Sequence, residues 1–256
     1  MAKAESGLRN YTNLLWTMTE KELKVRYKKT LLGFLWVILN PLLEMAIIGF
    51  VFSYFINIPN YYLFLLIGLV PWTFFSQSVN NAIISIVSER RLLHKAKFPI
   101  EVIPLSVVIA NLLNLVISFL LLLVFLLIFE KVIFVKLIFL IPAIFLLVVF
   151  TSGLCLLVSS LYVKFRDVGY IVRTVLILAF YVTPIVYDLS LIPSEIRGLF
   201  MFNPLSSIIE LFRLSILNQG HIYTEILTIN ISISLAVAFL GILVFRKNKD
   251  SFVDWT

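Results

Sequence analysis

Cysteine, histidine and charge are all scarce in this chain. The single cysteine, Cys155, sits in an apolar run. No disulfide framework can form within one chain, and the residue reads as a small packing side chain. The two histidines, His94 and His221, fall in links on opposite sides of any membrane the chain would cross, so one subunit cannot assemble a histidine-based metal cluster. No GxxxxGK(S/T) stretch occurs, nor HExxH, CxxC or GxSxG, so the chain carries none of those devices for nucleotide, zinc, redox or acyl chemistry. Charged residues make up only 14% of the 256 positions, against 61% hydrophobic. A soluble domain of this length needs far more polar surface. No long polar stretch is present from which a second, soluble domain could be cut. Residues 1–30 are polar and lack a short apolar core followed by a small-residue cleavage site, so no cleaved signal peptide is expected.

What the sequence does have is long apolar runs. A bilayer core takes about 20 apolar residues in a helix. Six stretches qualify: Leu31–Ile56, Tyr61–Val87, Ile100–Phe129, Leu137–Tyr162, Val168–Tyr187 and Ile226–Phe245. The expectation is an all-α integral membrane protein with residues 1–30 as a cytoplasmic arm and 31–256 as one six-span domain. Lysine and arginine orient it. Seventeen of the 21 lie in the N-terminal arm, the links after the second and fourth spans (with Arg173 just inside the fifth) and the C-terminal tail. Lys131, Lys136, Arg197 and Arg213 fall on the other side. Both termini are therefore expected in the cytoplasm, and the net charge of +7 reflects insertion and contact with anionic lipids, not nucleic acid binding.

Three segments outside the spans stand out. In the arm, Leu8, Tyr11, Leu15 and Met18 recur at helical spacing beside Trp16, with Lys21, Lys24 and Lys28 on a polar side and Glu22 interrupting the stripe. This predicts an amphipathic helix in the cytoplasmic interface. The link Ser88–Pro99 reads as a short helix capped by Ser88, with Leu92 and Leu93 offered to a protein partner. Between Asp188 and Thr224 the chain is too apolar for a loop and too broken to span. There Ser194 and Asn203-Pro204 would start two short helices, and Asn218-Gln219-Gly220 would end the second. Leu205, Ile208, Ile209, Phe212 and Ile216 share a face of that second helix. A re-entrant periplasmic hairpin follows, acting as a lid or a structural plug.

Ionisable groups inside spans are functional candidates. Glu44 lies 13 residues beyond Leu31, about 20 Å into a core about 30 Å thick, just after Asn40-Pro41, where a broken helix ladder is expected. It would face a water-filled path or hydrogen-bond to a neighbouring helix. Arg173 would snorkel to the cytoplasmic edge. Aromatic residues crowd the outer ends of the first two spans, Tyr54 and Tyr62 among them, with Trp72, Phe74 and Phe75 deeper. They suit an interfacial belt, or a path on which flat rings meet sugar faces.

The motifs Leu23-Lys24-Val25-Arg26-Tyr27-Lys28 with Asn40-Pro41-Leu42, Gly68-Leu69-Val70-Pro71-Trp72-Thr73-Phe74-Phe75 with Lys95-Ala96-Lys97-Phe98-Pro99, and Phe165-Arg166-Asp167-Val168 with Tyr181-Val182-Thr183-Pro184 and Asn203-Pro204-Leu205 run in order along nearly the whole chain. Together they resemble the type-two ABC export permeases for polysaccharides and polyol phosphates. The resemblance implies a subunit, not itself an enzyme, that pairs with a second copy of itself and with two copies of a separate ATPase that binds Mg-ATP. It implies that a chain on undecaprenyl diphosphate passes through the bacterial inner membrane at the dimer interface. Glu89, Arg90, Arg91, Leu92, Leu93, His94 and Lys95, with Arg166 and Asp167, would then contact the ATPase. Tyr54, Tyr62, Trp72, Phe74, Phe75, Tyr181 and Glu44 would contact the polymer, and Ser194, Asn203, Pro204 and Phe212 would form a periplasmic gate. Nearby alternatives are permeases for teichoic acid, capsule, lipid or drug. A secondary transporter would call for internal repeats, which are not seen.

Overall fold

The computed structural model describes residues 2–95, 98–129, 134–217 and 224–255. Ala96-Lys97, Lys131, Asn218-Gln219-Gly220 and His221 lie outside them. All regular structure among the described residues is helical: α1 (Ala2–Tyr27), α2 (Trp36–Phe52), α3 (Tyr61–Ser88), α4 (Arg90–Lys95), α5 (Val102–Phe129), α6 (Leu140–Lys164), α7 (Val168–Val182), α8 (Ser194–Met201), α9 (Pro204–Leu217), α10 (Thr224–Asn248) and α11 (Phe252–Trp255).

Among the described residues, five helical segments are long and apolar enough to cross a bilayer: Gly33–Phe52, Tyr61–Ser88, Val102–Val124, Leu137–Lys164 and Thr224–Asn248. A sixth helical segment of that length and apolarity exists only if the bent pair α8 and α9, which meet at 91°, counts as one, and Val168–Val182 is apolar but shorter. The expected fifth span, Val168–Tyr187, is a correction. The helix stops at Val182 after 15 residues, roughly 22 Å at helical rise and short of a bilayer core of about 30 Å. Thr183 is extended, at φ −88° and ψ 133°, as the residue before a proline prefers. Pro184 therefore turns Thr183–Tyr187 out of the helix.

At Asn40-Pro41 the missing proline N–H breaks one rung of the ladder, as expected, but α2 runs on through Pro41. A proline inside a membrane helix is tolerated where neighbours resatisfy the freed carbonyl. In the link between α1 and α2, Lys29 and Gly33 take left-handed φ of 63° and 52°.

α3 is the axis of the bundle, in contact with α2, α5, α6, α7 and α9. Its buried residues, from Phe64 to Ile83, form the centre of the main apolar cluster. α6 and α10 pack backbone against backbone. A Cβ on Gly153 would collide with the backbone of Ala238, and one on Gly241 with the Gly153 carbonyl. Small residues let the two backbones touch where lipid supplies no hydrophobic drive.

Candidate translocation surface and coupling face

At the end expected to be cytoplasmic, α1 lies along α5. Met18 and Thr19 are buried and Trp16 is exposed. The packed stripe turns polar towards its end: Arg26 donates from Nη1 to Asn111 Oδ1, and Asn114 Nδ2 donates to the Tyr27 hydroxyl at 3.1 Å. Lys21 bonds Glu89, tying α1 to the start of α4. Glu22, the apparent flaw in the apolar stripe, sits in this packed zone. Burial pushes its carboxyl above the ordinary range, and Arg26 partly opposes that.

Leu93 does not face a partner. It is buried with Ile86, Ile103, Leu156, Val163, Phe245 and Phe252, and Leu92 is half-buried. Nor does Ser88 cap α4: its hydroxyl donates back to the Ser85 carbonyl at 2.7 Å, and the Glu89 carbonyl receives Leu92 N and Leu93 N. Six residues give α4 fewer than two turns, and it holds its place by burying Leu93 under the C-terminal helices. The surface it presents is basic: Arg90, Arg91, His94 and Lys95 are exposed. The second link presents Arg166, stacked over Tyr162 at 5.0 Å, beside exposed Asp167, whose side chain makes no cap bond to α7.

The structure divides the aromatic candidates. Trp72, Tyr181 and Glu44 come together with Ser76, Asn80, Arg173 and Phe180 around a groove of about 500 Å³ between α2, α3 and α7. Trp72 meets Phe180 edge-on at 5.5 Å, and Phe180 meets Tyr181 at 5.4 Å. The groove thus combines edge-to-face rings with one acid and one base. Tyr54 is 78% exposed at the far end of α2, next to Phe50. Tyr62 lies over Gly49 and lines a different cavity, between α2, α3 and α5. Phe74 and Phe75 are buried; Phe75 stacks on Phe150 at 5.7 Å inside the protomer.

At the opposite end, α9 is buried and α8 is not. Leu205, Ile208, Ile209, Phe212 and Ile216 all face inward, and Phe212 stacks on Phe119 at 4.9 Å. Asn203 caps α9, its Oδ1 accepting from Leu205 N at 3.1 Å while its Nδ2 donates to Thr183 Oγ1 at 2.9 Å. Ser194 does not cap α8; its hydroxyl donates to Glu195 Oε1, and Pro193 holds the cap position without a side-chain bond. Pro204 is buried in the first turn of α9.

Sequence reasoning missed what holds this hairpin. Arg213 is 1% exposed, pairs with Glu210 at 2.8 Å, lies 3.5 Å over the Phe64 ring and donates to the Ile185 carbonyl at 2.9 Å. Tyr61 donates its hydroxyl to the Val186 carbonyl at 2.8 Å, and Arg197 donates to the Ile192 carbonyl at 2.8 Å. The carbonyls of the broken stretch after α7 thus find donors inside the protein, which irregular backbone at membrane depth requires. The i, i+3 spacing of Glu210 and Arg213 on an apolar helix was the available signal.

A model of the ABC-2 type transporter family matches residues 13–217, from within α1 to the end of α9. The chain belongs to that family. It is 35% identical over 245 residues to the O-antigen export system permease protein RfbA of Klebsiella pneumoniae, with 94% of each chain covered. A protein of the same name from Myxococcus xanthus is 33% identical over 259 residues, 99% of each. The polysialic acid transport protein KpsM of Escherichia coli is 24% identical over 240 residues, covering 91% of this chain and 92% of that one. The matched region of this ABC-2 chain includes α4, the groove beside α7 and the whole α8–α9 hairpin.

Proposed function

We propose that this chain is the membrane subunit of an exporter that moves an O-antigen-like polysaccharide, carried on undecaprenyl diphosphate, across the bacterial inner membrane. The observation that carries this reading is the unpartnered face of α2 and α7 beside the groove. Tyr170, Ile171, Val175, Leu178 and Tyr181 on α7, and Leu43, Ile47 and Phe50 on α2, are all exposed. In a bundle of this size such a face is covered by lipid or by a second copy, and two-fold pairing is the default closure. Two copies would bring two grooves together into one path. Rings of Trp72, Phe180 and Tyr181 would let pyranose faces slide, while Glu44 and Arg173 keep the path wet. The relatives named for O-antigen export, similar over 94% or more of the chain, support the same substrate class.

The remaining parts fit around this reading. Both termini face the cytoplasm, on the lysine and arginine distribution; that needs an even number of crossings, and α7 continued by the extended stretch Thr183–Tyr187 makes the sixth. α1 rides in the interface with Trp16 outward. The α8–α9 hairpin enters from the periplasmic side as a gate, with Ser194 on its exposed arm, Asn203 and Pro204 at its bend and Phe212 on the buried face of α9. Two ATPase subunits bind Mg-ATP and seat on α4. Because Leu93 is fixed under Phe245 and Phe252, α4 would pass their motion to the helix ends as a lever. Its exposed arginines call for an acidic docking surface.

The test is polysaccharide export in cells, measured alongside membrane protein level. Tyr181→Ala with Glu44→Gln should shorten or slow surface polysaccharide at unchanged protein level. Normal export in that double variant would sink the groove as the path. Arg90→Glu with Arg91→Glu should release the ATPase on co-purification, and full retention would place docking elsewhere.

A further inference from the structure

A second cavity lies on the α5 side of α3, whereas the Glu44–Arg173 groove lies on the α7 side. It encloses about 350 Å³ between the end of α1, the start of α2, α3 and α5, and its wall is polar: Arg26, Asn40, Gln77, Asn81, Asn111 and Asn114 all line it. Among the described residues, Arg26 is the one charged member of that wall. Two of its side chains are buried with a polar atom left without a partner. Asn111 is 2% exposed, and its Oδ1 accepts from Arg26 while its Nδ2 has no acceptor. Asn114 is 8% exposed, and its Nδ2 donates to Tyr27 while its Oδ1 has no donor. Thr73 Oγ1, on the same wall, is also unsatisfied. Buried polar atoms are rarely left so, and here a donor, an acceptor and a hydroxyl converge on one space beside a guanidinium.

The polar cavity does not stand alone. At Pro41, Val70 and Ser118 it shares its wall with an apolar trench of about 480 Å³ running along α2, α3 and α5 towards Tyr62 and Leu126. Leu42 and Leu121, both on the trench and both exposed, form its rim. A polar pocket with one cation, continuous with an apolar trench open between two membrane helices, has the shape of a lipid standing upright. We propose that this is a binding site for a lipid whose headgroup carries a phosphate and hydroxyls. The phosphate would meet Arg26 and the amide of Asn111, a headgroup hydroxyl the Asn114 carbonyl, and one hydrocarbon chain the trench. Such a lipid would also clamp the end of α1 to α2 and α5. The site does not depend on which polymer is exported, and only its assignment to the cytoplasmic leaflet uses the proposed orientation.

Two lipids share the phosphate and the hydrocarbon chain: a bilayer phospholipid, which also carries headgroup hydroxyls, and a polyprenyl phosphate, which would leave the Asn114 carbonyl to water. The full-length chain in detergent would be titrated separately with phosphatidylglycerol, undecaprenyl phosphate and a neutral diglucosyl diacylglycerol, with binding read by native mass spectrometry. One or both phosphate lipids should bind about tenfold more tightly than the neutral lipid; whichever binds more tightly identifies the source. Arg26→Gln should abolish that preference and Arg26→Lys should keep it, a readout that a merely structural Arg26 would not move. Leu121→Trp, which narrows the trench from its exposed rim and is independent of whether Arg26→Gln folds, should weaken the phosphate lipids. Leu127→Trp, on the exposed surface of α5 away from the trench, should not. Equal binding of the neutral lipid, an unchanged preference in Arg26→Gln, or equal losses from Leu121→Trp and Leu127→Trp would each overturn the site. Export at wild-type level in a variant that has lost the lipid would leave the translocation reading standing.

Discussion

α2 and α3 are neighbours with similar compositions and opposite fates. In the most apolar window of α3, 67% of residues are buried in the protomer; in that of α2, 11% are. Yet α3 is the least apolar of the five long helices and α2 is more apolar. In a bilayer, lipid is as good a solvent for leucine as another helix is, so apolarity does not pull a helix inward. Packing shape and polar partners do. α3 offers Gly68, whose bare Cα lies close under Ile185 and Arg213, together with Tyr61 and the ring of Phe64, each engaged by the broken stretch or the buried arginine. On α2, Met45 and Ile48 pack against the apolar core, while Leu43, Ile47, Phe50 and Val51 stay exposed.

That contrast can be tested in order of expected size. Arg213→Met leaves Glu210 buried without its cation and the Ile185 carbonyl without its donor. The cost should be about 3–5 kcal/mol, seen as a large fall in thermal stability in detergent. A Glu210→Leu, Arg213→Met double variant should recover part of it, and no recovery would mean the pair is not what holds the hairpin on α3. Next, Phe75→Ala removes a ring stacked inside the core and should cost about 3 kcal/mol, whereas Phe50→Ala on α2 should cost less than about 0.5 kcal/mol. Equal losses would erase the distinction between the two helices. Asn203→Ala loses the α9 cap and the Thr183 bond and should cost about 1 kcal/mol, with faster hydrogen exchange confined to the first turn of α9.

The smallest effect belongs to α1, which is peripheral as α2 is. The Glu22 carboxyl is raised by burial and by Glu89, with Arg26 and Lys21 opposing. A carboxyl with a raised pKa is disfavoured when charged. Docking of α1 should therefore tighten as pH falls from neutral towards that raised value, and loosen as pH rises through it. Amide exchange along α1 at pH 7 and pH 5.5 would read this, and Glu22→Gln should remove the difference. A pH dependence that survives in Glu22→Gln would assign it to another group.

The sequence by itself was enough for the membrane, the helices and the family. Runs of about 20 apolar residues have no other solvent, helix is the open-ended fold that satisfies its own backbone there, and the motif order matched a known family. The inward face of α9 was also legible, because its apolar positions repeat at helical spacing. What only the tertiary structure decided was which side chains meet. The burial of Leu93 depends on Phe245 and Phe252, more than 150 positions away, and the meeting of Tyr181 with Trp72 and Glu44 depends on how α7 lies against α2 and α3. The shortening of α7 followed from Pro184, but its tolerance followed from Arg213 and Tyr61 supplying donors across the fold. Hydropathy reports solvent, which is a local property of a segment. Contacts between helices in lipid are settled by shape and by a few polar groups, and a linear pattern carries neither.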